Sequence, residues 1–270
     1  MPTRKSGVTL ESMARVIAIA NEKGGTGKTT TAVNLAASLA LNNKRVLLVD
    51  ADPQANATQA LGFRPESVPL SLYDVLIGRT GAMEVIRRTA IPAFDLLPAS
   101  LDLAGATVEL LEVPDREFCL RKALVPLREL YDFIFIDCPP SLGILTVNAL
   151  AAADGVLVPV DASLFAVEGL RQLSRTLELI RENLELEVAI LGVVRTMHER
   201  RSRLARLIER ELRTAFADHL LESVVPRSVH LAESGAEAKP VFHHAPGSPG
   251  AHAYRMLAEE LLGRLGDSAS

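Results

Sequence analysis

Short uninterrupted apolar runs alternate along this chain with longer segments of helical periodicity. The runs fall at 16–20 (VIAIA), 46–49 (VLLV), 133–136 (FIFI), 156–160 (VLVPV) and 188–194 (VAILGVV), with weaker ones at 94–97 and 223–225. Four to seven apolar residues without alternation suit strands buried on both faces, as parallel strands are. Helix-compatible segments lie between them at 29–41, 142–152, 164–183 and 204–217. The alternation predicts an α/β fold with a mostly parallel, doubly wound sheet and helices on both faces, and in such sheets ligands sit beyond the carboxyl ends of the strands. The stretch 62–111 is the least regular, and the breaker cluster APGSPG at 245–250 precedes a closing helix at 251–266. With residues 1–14 as a flexible tail, one domain over 1–270 is the economical organisation.

Composition narrows the function classes. Hydrophobic residues make up 48% and charged residues 23%, ordinary values for a folded globular chain. No apolar run approaches the roughly 20 residues of a membrane span and no signal-peptide core follows the start, so a cytoplasmic protein is expected. Cys119 and Cys138 are too few for a disulfide framework and lack zinc-site spacing, so both are expected reduced. With no Trp and 4% aromatic residues, there is little to stack single-stranded bases. The net charge of −4 gives no global attraction to nucleic acid, so any such binding must be local.

The first strand runs into NEKGGTGKTT at 21–30, and a helix begins at the threonines Thr29 and Thr30. A glycine-rich turn between a strand and a helix start is a phosphate cradle: backbone N–H groups converge on the anion and the helix terminus adds positive potential. Lys28 then reaches the β and γ phosphates and the Thr29 hydroxyl a magnesium ion, as in P-loop nucleotidases. The common eight-residue form of this loop fails at its first position, Glu22; a second lysine, Lys23, opens the loop instead. Two further strands end in carboxylates, in DADPQAN at 50–56 and FIDCPP at 135–140. Such carboxylates can hold magnesium through water or orient an attacking water.

The segments KGGTGKTT, DADPQAN and FIFIDCPPSLG, together with VPRSVHLAESGAEAKPV at 225–241, resemble the ParA/Soj family of partition ATPases with its deviant Walker A loop. The resemblance implies binding of ATP and Mg2+ by Gly24, Gly25, Thr26, Gly27, Lys28, Thr29 and Thr30, with Pro226 and Arg227 beside the adenine. It implies a homodimer sandwiching two ATP molecules, with Lys23 reaching the partner's phosphates. Asp52 would position the attacking water, and Asp137 with Thr29 would serve the metal, making Lys23, Lys28, Asp52 and Asp137 the catalytic set. Intrinsic ATP hydrolysis is expected to be slow and to be stimulated by a ParB-type centromere-binding partner. The chain departs from the family pattern at Glu22, Ser228, His230, Gly235 and Ala238.

From Arg195 to Arg213 the chain carries seven arginines and three glutamates, a local excess of +4 that leaves the rest at −8. Arg203, Arg206, Arg210 and Arg213 share about a quarter of a helical circumference, opposite Leu204, Leu207, Ile208 and Leu212. Arginine forks suit phosphate, and the family binds double-stranded DNA without sequence preference through this part of its fold, including a position that resembles Arg201. Nucleoid association in the cytoplasm follows, and with few residues before the first strand no additional DNA-reading domain is expected. The alternatives are MinD-like membrane cycling and an orphan cargo-positioning ATPase. The closing helix has balanced charges and no Lys, Trp or Phe, a poor membrane anchor, so stable membrane association is not expected. The cysteines do not fall where an iron-protein reductase would hold a cluster.

Overall fold

The computed structural model describes residues 13–163, 165–199 and 203–266. Eight strands form one sheet: β1 (Arg15–Ile19), β2 (Val46–Asp50), β3 (Arg87–Arg88), β4 (Phe94–Leu97), β5 (Phe133–Asp137), β6 (Gly155–Asp161), β7 (Ala189–His198) and β8 (Leu220–Pro226). Their order is β3-β4-β2-β5-β1-β6-β7-β8, parallel throughout except for the β3–β4 pair. All seven apolar runs become strands. The sequence pattern missed β3, whose two arginines carry no apolar signal and pair with Asp95 and Leu96 at the sheet edge.

The described helices are α1 (Lys28–Leu41), α2 (Asn56–Ala60), α3 (Leu72–Leu76), α4 (Ala82–Val85), α5 (Leu103–Glu109), α6 (Cys119–Leu124), α7 (Ile144–Ala152), α8 (Ala166–Leu184), α9 (Arg203–Phe216), α10 (Val229–Ala236), α11 (Val241–His244) and α12 (Pro249–Leu265). Strand residues alternate between two cores. Ile17, Ile19, Leu48, Phe133 and Phe135 pack with Leu35 and Leu39 of α1 and Tyr254, Leu257 and Leu261 of α12. Val16, Ala18, Val49, Ile134 and Ile136 face the opposite way, toward Leu145 and Leu150 of α7, Leu170 and Leu173 of α8, and Ile208 and Leu212 of α9. Both faces are covered, so the strands need no polar alternation.

Two boundaries change. Ala14, placed in the tail by the sequence pattern, is buried and donates its backbone N–H to Arg128 O at 2.7 Å. The closing helix starts earlier, at Pro249, where the Ser248 hydroxyl accepts from Ala251 N. At the far sheet edge, Glu260 of α12 accepts from Glu222 N (2.7 Å) and Ser223 N (2.8 Å), covering edge donors of β8. No described helix is long and apolar enough to cross a membrane.

Candidate active site

The loops after β1, β2, β5, β6 and β7 meet at one end of the sheet, as the doubly wound order requires. Gly25 (φ +74°) and Gly27 (φ +83°) hold left-handed backbone in the loop after β1, a conformation that strains side-chain-bearing residues. Gly27 caps α1. Side chains from elsewhere fix the loop's shape. Asn21 Nδ2 donates to Pro159 O (2.7 Å) while its Oδ1 accepts from Lys23 N (3.0 Å). The Thr196 hydroxyl, on β7, lies 2.7 Å from Thr26 O and 3.1 Å from Val160 O. The loop floors a cleft of about 490 Å3, walled by Asp52, Gln54 and Asn56 after β2 and by Leu231, Ser234 and Lys239 on the α10 side.

Three carboxylates crowd beneath this cleft. Asp50 and Asp137 are register partners at the ends of β2 and β5, both fully buried, and Asp52 follows two residues on. Asp50 accepts from the Thr58 N–H and hydroxyl, each at 2.7 Å, and Asp52 Oδ1 accepts from Gln54 N at 2.9 Å. Both oxygens of Asp137 lack a hydrogen-bond partner. Burial, with Asp50 and Asp52 beside it, pushes the Asp137 carboxyl well above its ordinary range; the Thr29 hydroxyl and Lys28 pull the other way without completing a hydrogen bond. Burial lifts Asp50 to about 6 despite its Thr58 bonds. Lys28, also buried, has its ammonium pKa lowered by desolvation, opposed by Asp137 and Asp52, and donates to Lys23 O at 3.0 Å. A buried carboxylate with unused oxygens next to a hydroxyl matches the hard oxygen donors a magnesium ion takes, completed by phosphate and water. The residues present therefore fit Mg2+, which Thr29 and Asp137 would hold.

A family profile described as AAA domain matches residues 14–190. The chain is 49% identical over 256 residues to the chromosome-partitioning ATPase Soj of Thermus thermophilus, covering 95% of this chain and 98% of that one. It is 44% identical over 249 residues to the sporulation initiation inhibitor protein Soj of Bacillus subtilis, covering 92% and 98%. This chain belongs to the ParA/Soj family of partitioning ATPases. Among solved structures, cobyrinic acid a,c-diamide synthase from Mycobacterium smegmatis with bound ADP and magnesium superposes with a TM-score of 0.83 at 36% identity, covering 94% of this chain and 96% of that one. The nucleotide-cleft fold is thus shared beyond the ParA/Soj family, and the higher identity lies with Soj.

Within this ParA/Soj chain, Gly24, Gly25, Thr26, Gly27, Lys28, Thr29 and Thr30 form the loop and start of α1, with Asp52 and Asp137 beside them. Pro226 and Arg227 line an adjoining pocket of about 270 Å3 with Ser228, Leu231, Thr30 and Tyr254, on the side where the family resemblance puts adenine. The Arg227 guanidinium itself turns away, to Glu199 at 3.0 Å. The Lys23 side chain turns out of the loop: its ammonium meets Asp161 at the end of β6 (2.7 Å) and the Ser163 hydroxyl just beyond it (2.8 Å). Asp161 and Thr196 were not signalled by sequence, and Asn21 and Asp50 lay within quoted motifs without a role of their own. Cys119 and Cys138 are free, and burial raises the Cys138 thiol.

The arginine helix needs correction. Arg201 lies outside the described residues. Arg195, counted in the local charge excess, is buried, its guanidinium paired with Glu209 and donating to Leu221 O and Glu222 O, so its charge is spent in the core. The buried face of α9 is Ala205, Ile208 and Leu212, whereas Leu204 and Leu207 are 39% and 42% exposed beside the arginines. Arg203, Arg206 and Arg210 are exposed, and Arg213 is held by Glu209 at 3.2 Å and Glu222 at 3.6 Å. Three arginines therefore remain free of the Glu209 pairings that occupy Arg195 and Arg213.

Proposed function

We propose that the chain works as one ATPase unit that self-associates around two molecules of Mg-ATP, binds double-stranded DNA in that state, and lets go on hydrolysis stimulated by a ParB-type partner. The observation that carries this reading is the pairing of a buried, unpartnered Asp137 beside Lys28 and Thr29 with a second lysine, Lys23, held clear of its own phosphate cradle. Lys28 and the loop N–H groups bind phosphate, Thr29 and Asp137 hold magnesium, and Asp52, at the cleft wall, orients the attacking water. Magnesium neutralises charge on the β and γ phosphate oxygens. Soj of Thermus thermophilus, named as a chromosome-partitioning ATPase, supports the reaction. Slow intrinsic turnover that waits on a partner belongs to the same reading. The expected residence is the cytoplasmic nucleoid.

The Lys23–Asp161 pair has 34% and 21% side-chain exposure, so it is worth about 1 kcal/mol or less, too little to hold Lys23 against a neighbour's triphosphate. Lys23→Ala should leave nucleotide affinity within a few-fold and abolish analogue-dependent dimerisation in sizing experiments. Equal dimerisation of the variant refutes the shared-lysine arrangement. ATP hydrolysis measured alone, with DNA, and with DNA plus the ParB-type partner should rise in that order.

For DNA, Arg203→Ala, Arg206→Ala and Arg210→Ala should each weaken binding uniformly across sequences and lower the salt slope by about 1. Arg213→Ala should do less, since Glu209 and Glu222 already engage its guanidinium. A slope unchanged in the triple variant removes α9 from the interface. Membrane cycling is disfavoured because the apolar face of α12, with Tyr254, Leu257, Leu261 and Leu262, is spent in the core.

A further inference from the structure

Away from the phosphate loop, α10 and α11 bring together three side chains that neither the fold nor the proposed reaction uses. One donor atom each of His230, Glu233 and His244 lies within 4.8 Å of the other two. Glu233 Oε2 is the shared corner, 3.5 Å from His230 Nδ1 and 3.3 Å from His244 Nε2. A tetrahedral zinc ion with bonds of about 2.0–2.1 Å sets its donors about 3.4 Å apart, so both spacings already suit one ion. His230 and Glu233, three apart, share a face of α10, and the two rings are tilted at 53° with centroids 6.0 Å apart.

The outer partner is present too. His244 Nδ1 lies 3.2 Å from Glu237 Oε2, so a proton held on Nδ1 leaves the Nε2 lone pair facing Glu233. Glu237 thus orients the ring as carboxylates orient metal-bound histidines. Charge favours a cation: with neutral imidazoles, Glu233 and Glu237 bring two negative charges, partly offset by Lys239, whose ammonium is 3.9 Å from Glu237. His244 is 14% exposed and fixed, whereas His230 and Glu233 are each 52% exposed, leaving room for a water as fourth ligand.

We propose that His230, Glu233 and His244 bind a first-row divalent metal ion of the zinc class, with Glu237 as the outer partner. Two imidazoles and one carboxylate suit zinc and its neighbours and not magnesium, which takes oxygen donors. Binding is pure coordination, with both imidazoles neutral and no electron transferred. The ion would clamp α10 to α11. Leu231 and Ser234 of α10 line the nucleotide cleft, while α11 is tied to α1 through Asn34 Oδ1, which accepts from Val241 N at 2.8 Å. The clamp therefore braces one cleft wall without touching the phosphates.

The test uses the metal-stripped full chain without nucleotide. Titration with zinc should show one site with a dissociation constant on the order of micromolar, and cobalt should give the visible absorption of a tetrahedral site. Zinc at a hundredfold excess over that constant should raise the melting temperature by about 5 °C or more. His230→Ala, His244→Ala and Glu233→Gln should each weaken binding at least tenfold, Glu237→Gln about tenfold, and His243→Ala, at the exposed neighbouring histidine, not at all. Saturable binding that survives the His230 and His244 changes, or no binding by the intact chain, overturns the proposal. Purely protonated imidazole–carboxylate pairing gives the second result.

Discussion

Asp137→Asn should make the metal-free protein more stable at pH 7 by about 1–3 kcal/mol while cutting ATP turnover at least a hundredfold. The carboxylate is fully buried, accepts no hydrogen bond and faces Asp50, so its charged form is a cost that the amide does not carry. The sign follows from proton linkage: a carboxyl whose folded pKa is raised contributes full stability below its unfolded value, near 3.8, and loses it as pH rises through the folded value. The variant escapes that loss. Its advantage over the parent should therefore be small at pH 4, close to the unfolded value, and open steadily toward pH 7. Urea unfolding in chelator at the two pH values measures it; equal stabilities at pH 7 would mean the Asp137 charge is compensated.

Lys28→Ala should weaken nucleotide binding by about 30-fold or more, the penalty of truncating one member of a buried charge pair, and abolish turnover. It should also destabilise the free protein, because Asp137 and Asp52 lose their buried cation. In the Asp137→Asn background that destabilisation should shrink by about 1 kcal/mol or more, since the two groups are coupled. Unfolding of the four proteins of this cycle, alongside fluorescence titration with a nucleotide analogue, reads both effects; strict additivity would separate Lys28 from Asp137.

The phosphate loop and the strands were legible because their signals are local: glycines at positions needing left-handed backbone, and apolar runs buried on both faces. What sequence did not carry was the choice of partners across the fold. Nothing near Lys23 announces Asp161, 138 residues away, and nothing near Thr26 announces Thr196, 170 away. Arg195 reads as one more surface arginine until β7 carries it into the core beside Glu209. The periodicity of α9 put Leu204 and Leu207 on its buried face, yet only Ala205, Ile208 and Leu212 meet the core, so the helix sits rotated toward smaller side chains. Nothing in the sequence joins His230 to His244; only the turn between α10 and α11 makes them neighbours.

Three consecutive residues of β7 meet two different parts of the molecule. Arg195 grips Glu209 on the arginine helix, Thr196 pins the backbone of the phosphate loop, and Met197, itself at φ +49°, packs toward Gly27. Cradle and arginine helix are thus anchored one residue apart on a single strand, about 3.3 Å along it. A substitution that displaces this part of β7 should therefore disturb cradle and arginine helix together.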